Sequence, residues 1–247
     1  MTATRRAADT VVLLIAIVAL WEILHHIAGE TALPAPLPTM NYLMHTVATP
    51  RFAANAAATA LAFAFALAVA YGIGLAVGIW MGAHKLSGAV GEPILVALYS
   101  LPKITLYPVV LLICGLGISG KIVFGAMHGI LPVALLTMGA IRAIPHVYLR
   151  AARTLQLSPW QTIATVLLPA VLPEVFTGLR IGFTVTLLGV LLGEMFASKQ
   201  GLGAMIMNAM SLAQGEEMLT VAIVLFTFAA VANGVLLFVE HRLHRRV

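Results

Sequence analysis

Charge is the first thing this sequence lacks. Only 9% of its 247 residues are Asp, Glu, Lys or Arg, against about a quarter in a soluble domain. A chain that is also 61% hydrophobic, with a mean hydropathy of +1.03, cannot clothe a water-facing globule. Cysteine is nearly absent. Cys114 stands alone, so no internal disulfide can form, and its place inside an apolar run leaves the redox compartment unread. Strict apolar–polar alternation is missing, which excludes a membrane β-barrel. What is present is a series of apolar runs of about 20 residues, each long enough to cross a bilayer as a helix. The expectation is an all-α membrane protein.

Six spans are expected, at about 10–28, 55–82, 94–114, 122–142, 174–196 and 218–240. The start, Arg5 and Arg6 followed by "VVLLIAIVAL", resembles a secretion signal. No small-x-small cleavage site follows, and "WEILHH" lengthens the apolar segment, so an uncleaved first helix is expected. An even number of spans puts both termini on one side. With the N-terminus inside, nine basic residues lie inside: Arg5, Arg6, Lys85, Arg142, Arg150, Arg153, Arg242, Arg245 and Arg246. Three lie outside, Arg51, Lys121 and Lys199, while Lys103 and Arg180 fall within spans. That bias predicts cytoplasmic termini. The net charge of +5 then marks orientation and not nucleic-acid binding.

The outer segment "GETALPAPLPTMNYLMHTVATPRF" is proline-rich, with a short amphipathic helix expected around Asn41–Val47. Gly74, Gly78 and Gly82 recur at spacing four, a row that lets another helix approach closely. "GLGISGKI", Gly115 to Ile122, mimics both a dinucleotide fingerprint and a phosphate loop. A phosphate loop needs a preceding strand and a following hydroxyl, and Ile122 stands at the hydroxyl position. A tight turn between spans is expected instead. The eight histidines show no paired ligand spacing, and no nucleophile–base pair can be argued, so neither a metal site nor a catalytic residue is expected.

"LRAARTLQLSPWQTIATVLLPAVLP", residues 149 to 173, is the polar exception, on the expected cytoplasmic side between spans four and five. Pro145 can open a helix running from Val147 to Leu155. Ser158, Pro159 and Gln161 spell a capping box for a second helix that Pro169 should end. Two short helices at an angle are expected, with Ala151 and Ala152 small enough to let a partner approach.

This stretch resembles the permease subunits of bacterial binding-protein-dependent ABC importers. Their cytoplasmic signature reads E-A-A, three residues, G, nine residues, I-x-L-P. Arg150 stands at the Glu position, Ala151 and Ala152 follow, Gln156 stands at the Gly position, and Val166, Leu168 and Pro169 complete the spacing. "LPKITLYPVVLLICGLGISGKI" and "GEMFASKQGLGAMI" are similar to the nitrate, sulfonate, taurine and bicarbonate branch. The resemblance covers about residue 34 to the C-terminus. It implies a type I ABC importer permease-like fold over 34–247, after an N-terminal helix and outer linker over 1–33, in the bacterial inner membrane. It further implies a second permease subunit, two cytoplasmic ATPase subunits that bind the ATP and Mg, and an external substrate-binding protein; no cofactor is expected on this chain. The coupling segment would lie at about 143–173. Its contact residues would be Arg150, Ala151, Ala152, Arg153, Thr154, Leu155, Gln156, Leu157, Ser158 and Pro159.

A solute path is expected where polar groups enter the spans. Pro102 and Pro108 interrupt span three around Lys103, and a cation at mid-depth costs on the order of 3 kcal/mol. Arg180 and Glu194 lie in span five, and Thr105, Tyr107, Thr184 and Thr186 could add hydroxyls. This set points to a small anionic solute. A stand-alone secondary transporter or channel is the alternative, although Glu22 and Glu194 both lie toward the outer ends and leave no deep carboxylate for cation coupling. An intramembrane enzyme would need a catalytic constellation that the sequence does not offer.

Overall fold

Every element among the described residues, 3–30 and 33–244 of this computed structural model, is helical. In a bilayer a helix satisfies its own backbone within one segment, so long apolar runs fold this way. Arg245 and Arg246 lie outside the described residues, as do the side chains of Arg5 and Arg6. The helices are α1 (Ala3–Ala28), α2 (Pro36–Val47), α3 (Pro50–Ala83), α4 (Lys85–Ser100), α5 (Tyr107–Cys114) and α6 (Ile118–Arg142). There follow α7 (His146–Thr154), α8 (Pro159–Thr162), α9 (Leu168–Ala197), α10 (Leu202–Ser211) and α11 (Gly215–His244). The short outer helix is longer than expected, because Pro36 opens it at the first turn, where a missing N–H costs nothing.

The core is a slab of α3, α6 and α9, in which α6 packs on each of the other two more extensively than any other pair of described helices. Small residues make it. A Cβ at Gly74, Gly78 or Gly82 would sit 2.7, 2.6 or 2.8 Å from the Cβ of Val133, Thr137 or Ile141, so α3 lies backbone-close to α6 along that row. Gly125 and Gly129 of α6 meet Val190 and Thr186 of α9 in the same way. Lipid tails are as apolar as leucine, so close van der Waals packing, rather than the hydrophobic effect, holds such helices together.

The pairings also fix direction. Numbers rise together along α3 and α6, so those helices run parallel, whereas α6 and α9 run antiparallel. The chain between α3 and α6 must therefore return across the slab. It does so through α4 and the Lys103–Cys114 segment, which meet at a bend of 87°. Five helices are long and apolar enough to span, and this bent pair makes the sixth crossing. The expected straight span 94–114 is thus corrected to a broken one. Pro102 cannot donate a backbone bond and forces Leu101 into extended geometry, ending α4 at Ser100.

A second correction concerns Lys121. The "GLGISGK" turn closes at Gly117, helix α6 begins at Ile118, and Lys121 is buried inside the bundle and not in an outer loop. A third concerns Pro169, which ends nothing. Residues 159–197 form one continuous apolar span. A π-helical turn, Ile163–Leu167, sits just before the proline, and the Leu168 N–H reaches back to Ile163 O. That longer register absorbs the hydrogen bond Pro169 cannot make.

Candidate functional site

Three groupings contain the residues singled out by sequence. The first is the polar loop. Pro145 is the extended N-cap of α7, and Tyr148 N–H bonds to its carbonyl at 3.0 Å. At about 100° per residue, His146, Arg150 and Arg153 form one stripe, Val147, Tyr148, Ala151 and Leu155 another, and Leu149 and Ala152 a third. The third faces inward. Ala152 is 2% exposed and Leu149 half-buried. Ala151 is exposed, so only one of the two small residues is open to a partner. Leu155 is 70% and Trp160 75% exposed.

The turn after α7 is a Schellman motif. Gln156 N–H bonds to Arg153 O at 3.0 Å and Leu157 N–H to Ala152 O at 3.1 Å. The motif needs a left-handed residue at Gln156, whose φ is +52°. A side chain there costs about 1 kcal/mol or more. Gln156→Gly should therefore stabilise this end of α7 by about 1 kcal/mol and slow its amide exchange, whereas β-branched Gln156→Val should hasten exchange. Hydrogen-exchange mass spectrometry of residues 146–157 checks both. Beyond the turn, the capping box is present. Ser158 Oγ accepts from Gln161 N–H at 3.3 Å, and Gln161 Oε1 accepts from Ser158 N–H at 2.9 Å.

The second grouping is the bend. Pro102, Thr105 and Pro108 are exposed on it. Thr105 donates to Pro102 O at 2.8 Å. Lys103 is half-buried; its ammonium donates to Tyr99 O at 3.1 Å and lies 4.8 Å from the Tyr99 ring centre. It edges a depression of about 190 Å³ otherwise lined by Leu98, Leu101, Leu106, Met127, Ile130 and Leu131. Tyr107 turns inward instead, and its hydroxyl donates to Gly193 O at 2.6 Å.

The third grouping lies along α9 and separates into two clusters. Toward its start, Arg180 Nε is 2.6 Å from Glu240 Oε2, and Arg180 Nη1 donates to Asn233 Oδ1 at 3.4 Å. Thr177 donates to the other Glu240 oxygen at 2.5 Å. Thr184 is exposed and bonds back to Arg180 O, while Thr186 is fully buried between α9 and α6. At the far end Glu194 is fully buried. Its Oε2 accepts from the Thr59 hydroxyl at 2.8 Å and from Gly203 N–H at 3.0 Å, and its Oε1 lies 3.4 Å from Lys121 Nζ. Lys121 also donates to Gln200 O at 2.6 Å. Glu194 and Thr186 are therefore enclosed in the bundle of this one chain.

Sequence reasoning missed the partners. Thr59 and Lys121 for Glu194, and Glu240 and Asn233 for Arg180, are distant in sequence and come from other helices. The one available signal was arithmetic, since each intramembrane charge demands a counter-charge and the chain holds few.

The two polar ends of the bundle are thus distinct. Arg180 and Glu240 fix the C-terminal end of α11 beside the start of α9, so that end shares a side with α7. The Glu194 cluster sits at the opposite side with the α9–α10 connection. The chain has counterparts among known proteins. Residues 70–247 match the family described as binding-protein-dependent transport system inner membrane component. SsuC, a putative aliphatic sulfonates transport permease protein of Bacillus subtilis, is 25% identical over 229 residues, 92% of this chain and 83% of that protein. The taurine transport system permease protein TauC of Escherichia coli is 31% identical over 156 residues, 63% of this chain and 54% of that protein. The nitrate import permease protein NrtB of Synechococcus elongatus is 26% identical over 201 residues, 77% of this chain and 72% of that protein. A chain of the MetNI methionine ABC transporter, solved in an inward-facing conformation, superimposes with a TM-score of 0.61 at 22% identity, covering 76% of this chain and 92% of that one. That likeness is one of fold, a type I ABC importer permease-like arrangement. With the family match spanning most of the chain, the protein belongs to the binding-protein-dependent transport system inner membrane components, as a multi-pass permease subunit of an ABC importer.

Proposed function

We propose that the chain and a second permease subunit enclose a path for a small anionic solute, sulfonate-, nitrate- or carboxylate-like. In this reading two ATPase subunits, which hold the ATP and Mg, dock on α7 from the cytoplasm. An external binding protein delivers the solute to the opposite side, and both chain termini are cytoplasmic. The observation that carries it is α7 itself. Val147, Tyr148 and Leu155 are exposed on a short helical knob outside the spans, and a patch of this kind marks a partner surface. Residues Arg150 to Pro159 supply the knob and its turn. The anionic solute rests on the sulfonate, taurine and nitrate named for the relatives and on Lys103, a half-buried cation at the bend with no carboxylate partner among the described residues.

The test is transport by the complex reconstituted in liposomes. Ala151→Trp, on the exposed side of α7, should uncouple uptake from ATP hydrolysis. Full coupled transport by that variant would sink the docking assignment. Lys103→Met should lower uptake several-fold with assembly intact, and Lys103→Arg should retain part of it. Undiminished uptake by Lys103→Met would remove Lys103 from the path.

A further inference from the structure

Four cations of the bundle each meet a carboxylate. Arg51 Nη2 lies 3.0 Å from Glu217, Lys121 meets Glu194, Arg142 Nη1 lies 2.5 Å from Glu92, and Arg180 meets Glu240. The two arginines of helix α7 do not. Arg150 and Arg153 are exposed on one stripe with His146, and among the described residues neither guanidinium has an ion-pair partner. None can come from nearby sequence, since residues 143–173 contain no Asp or Glu. Across the helix from this stripe, about 160° away at 100° per residue, runs the exposed apolar ridge of Tyr148 and Leu155.

We infer that the ATPase surface receiving α7 is acidic on one side, with Asp or Glu side chains facing Arg150 and Arg153, and apolar on the other, where it meets Tyr148 and Leu155. This rests on the docking proposed above. The physical case is complementarity. A paired charge at a docking surface steers the approach and fixes register, and a guanidinium binds a carboxylate through two parallel hydrogen bonds. An uncharged or basic seat would leave two cations desolvated without a partner, or repel them. The apolar ridge supplies contact area and the basic stripe selects the partner. An ATPase subunit whose seat is basic is thereby refused, because like charges brought together at an interface cost binding energy.

The experiment uses the permease complex purified from its own membranes, with the ATPase subunit recognised by its phosphate-loop sequence. Arg150→Glu with Arg153→Glu should lower the ATPase retained on immobilised permease about tenfold at low salt. Arg150→Lys with Arg153→Lys should retain it, and retention on the unaltered permease should fall as NaCl is raised. The lysine variant also permits a direct reading. A carbodiimide joins a lysine amine to a carboxylate in contact with it, so peptide mass spectrometry should find position 150 or 153 amide-linked to an Asp or Glu of the ATPase. An ATPase retained by the lysine variant without such a link, and indifferent to the glutamate variant, overturns the acidic seat and leaves the two charges to anionic lipid headgroups, with docking itself intact. Absence of any ATPase from the unaltered complex overturns the docking reading on which the inference rests.

Discussion

Lys121→Met should destabilise the folded permease by about 3–5 kcal/mol, the cost of stripping one partner from a buried ion pair. Glu194 would keep its bonds from Thr59 and Gly203 N–H but lose its counter-charge while fully buried. Gln200 O would lose its donor as well. Both losses fall on the α9–α10 connection, which holds Gly201 at φ +122° against the Glu194 carboxylate. The thermal midpoint of the detergent-solubilised protein should therefore drop, and amide exchange should rise first in α10. Adding Glu194→Gln to Lys121→Met should recover part of the loss, because the buried charge is then gone while Thr59 and Gly203 still find an oxygen. An unchanged midpoint in Lys121→Met would show that the pair contributes nothing.

Lys121 also shows how far the sequence can be read. "GLGISGKI" looks like a loop because its glycines dominate the local pattern, yet the turn needs only Gly115 at φ +76° and the extended Gly117. The helix then starts at once. Nothing local announces that Lys121 points inward at Glu194, 73 residues on, or that Thr59 lies 135 residues back on the same carboxylate. Helix existence, by contrast, was legible, because apolar length alone dictates it in a bilayer. So was the Ser158–Gln161 capping box, a contact between residues three apart. Proline was legible only as a site of trouble. At Pro102 the chain bends by 87°, while at Pro169 one π turn keeps the helix running. The difference depends on what packs around each proline, which no sequence window contains. The bend also voids any depth for Lys103 counted along a straight helix; the neighbours at the bend fix its place.

Gly78→Leu should prevent assembly of a folded chain, whereas Gly72→Leu, earlier on the same helix and on a different face, should be silent. At Gly72 nothing lies within 4 Å of where a Cβ would go. At Gly78 a Cβ would lie 2.7 Å from Ala134 O, a backbone atom fixed in the α6 ladder, and 2.6 Å from Thr137 Cβ. A rotamer change cannot relieve the first clash, so the helices themselves must separate. Overpacking a core usually costs about 1–3 kcal/mol when side chains can shift. Here the whole Gly74–Gly78–Gly82 seam would lift off Val133, Thr137 and Ile141, and in lipid no hydrophobic gain compensates for the van der Waals packing that the seam gives up. The damage should reach the bend, since the parallel seating of α3 on α6 sets the distance that α4 and α5 must cross. Expression of each variant with a fluorescent tag, followed by size-exclusion in detergent, reads the outcome. A monodisperse peak for Gly78→Leu matching that of Gly72→Leu would mean that the seam can open without cost. The glycine row would then reflect only the tolerance of membrane helices for glycine.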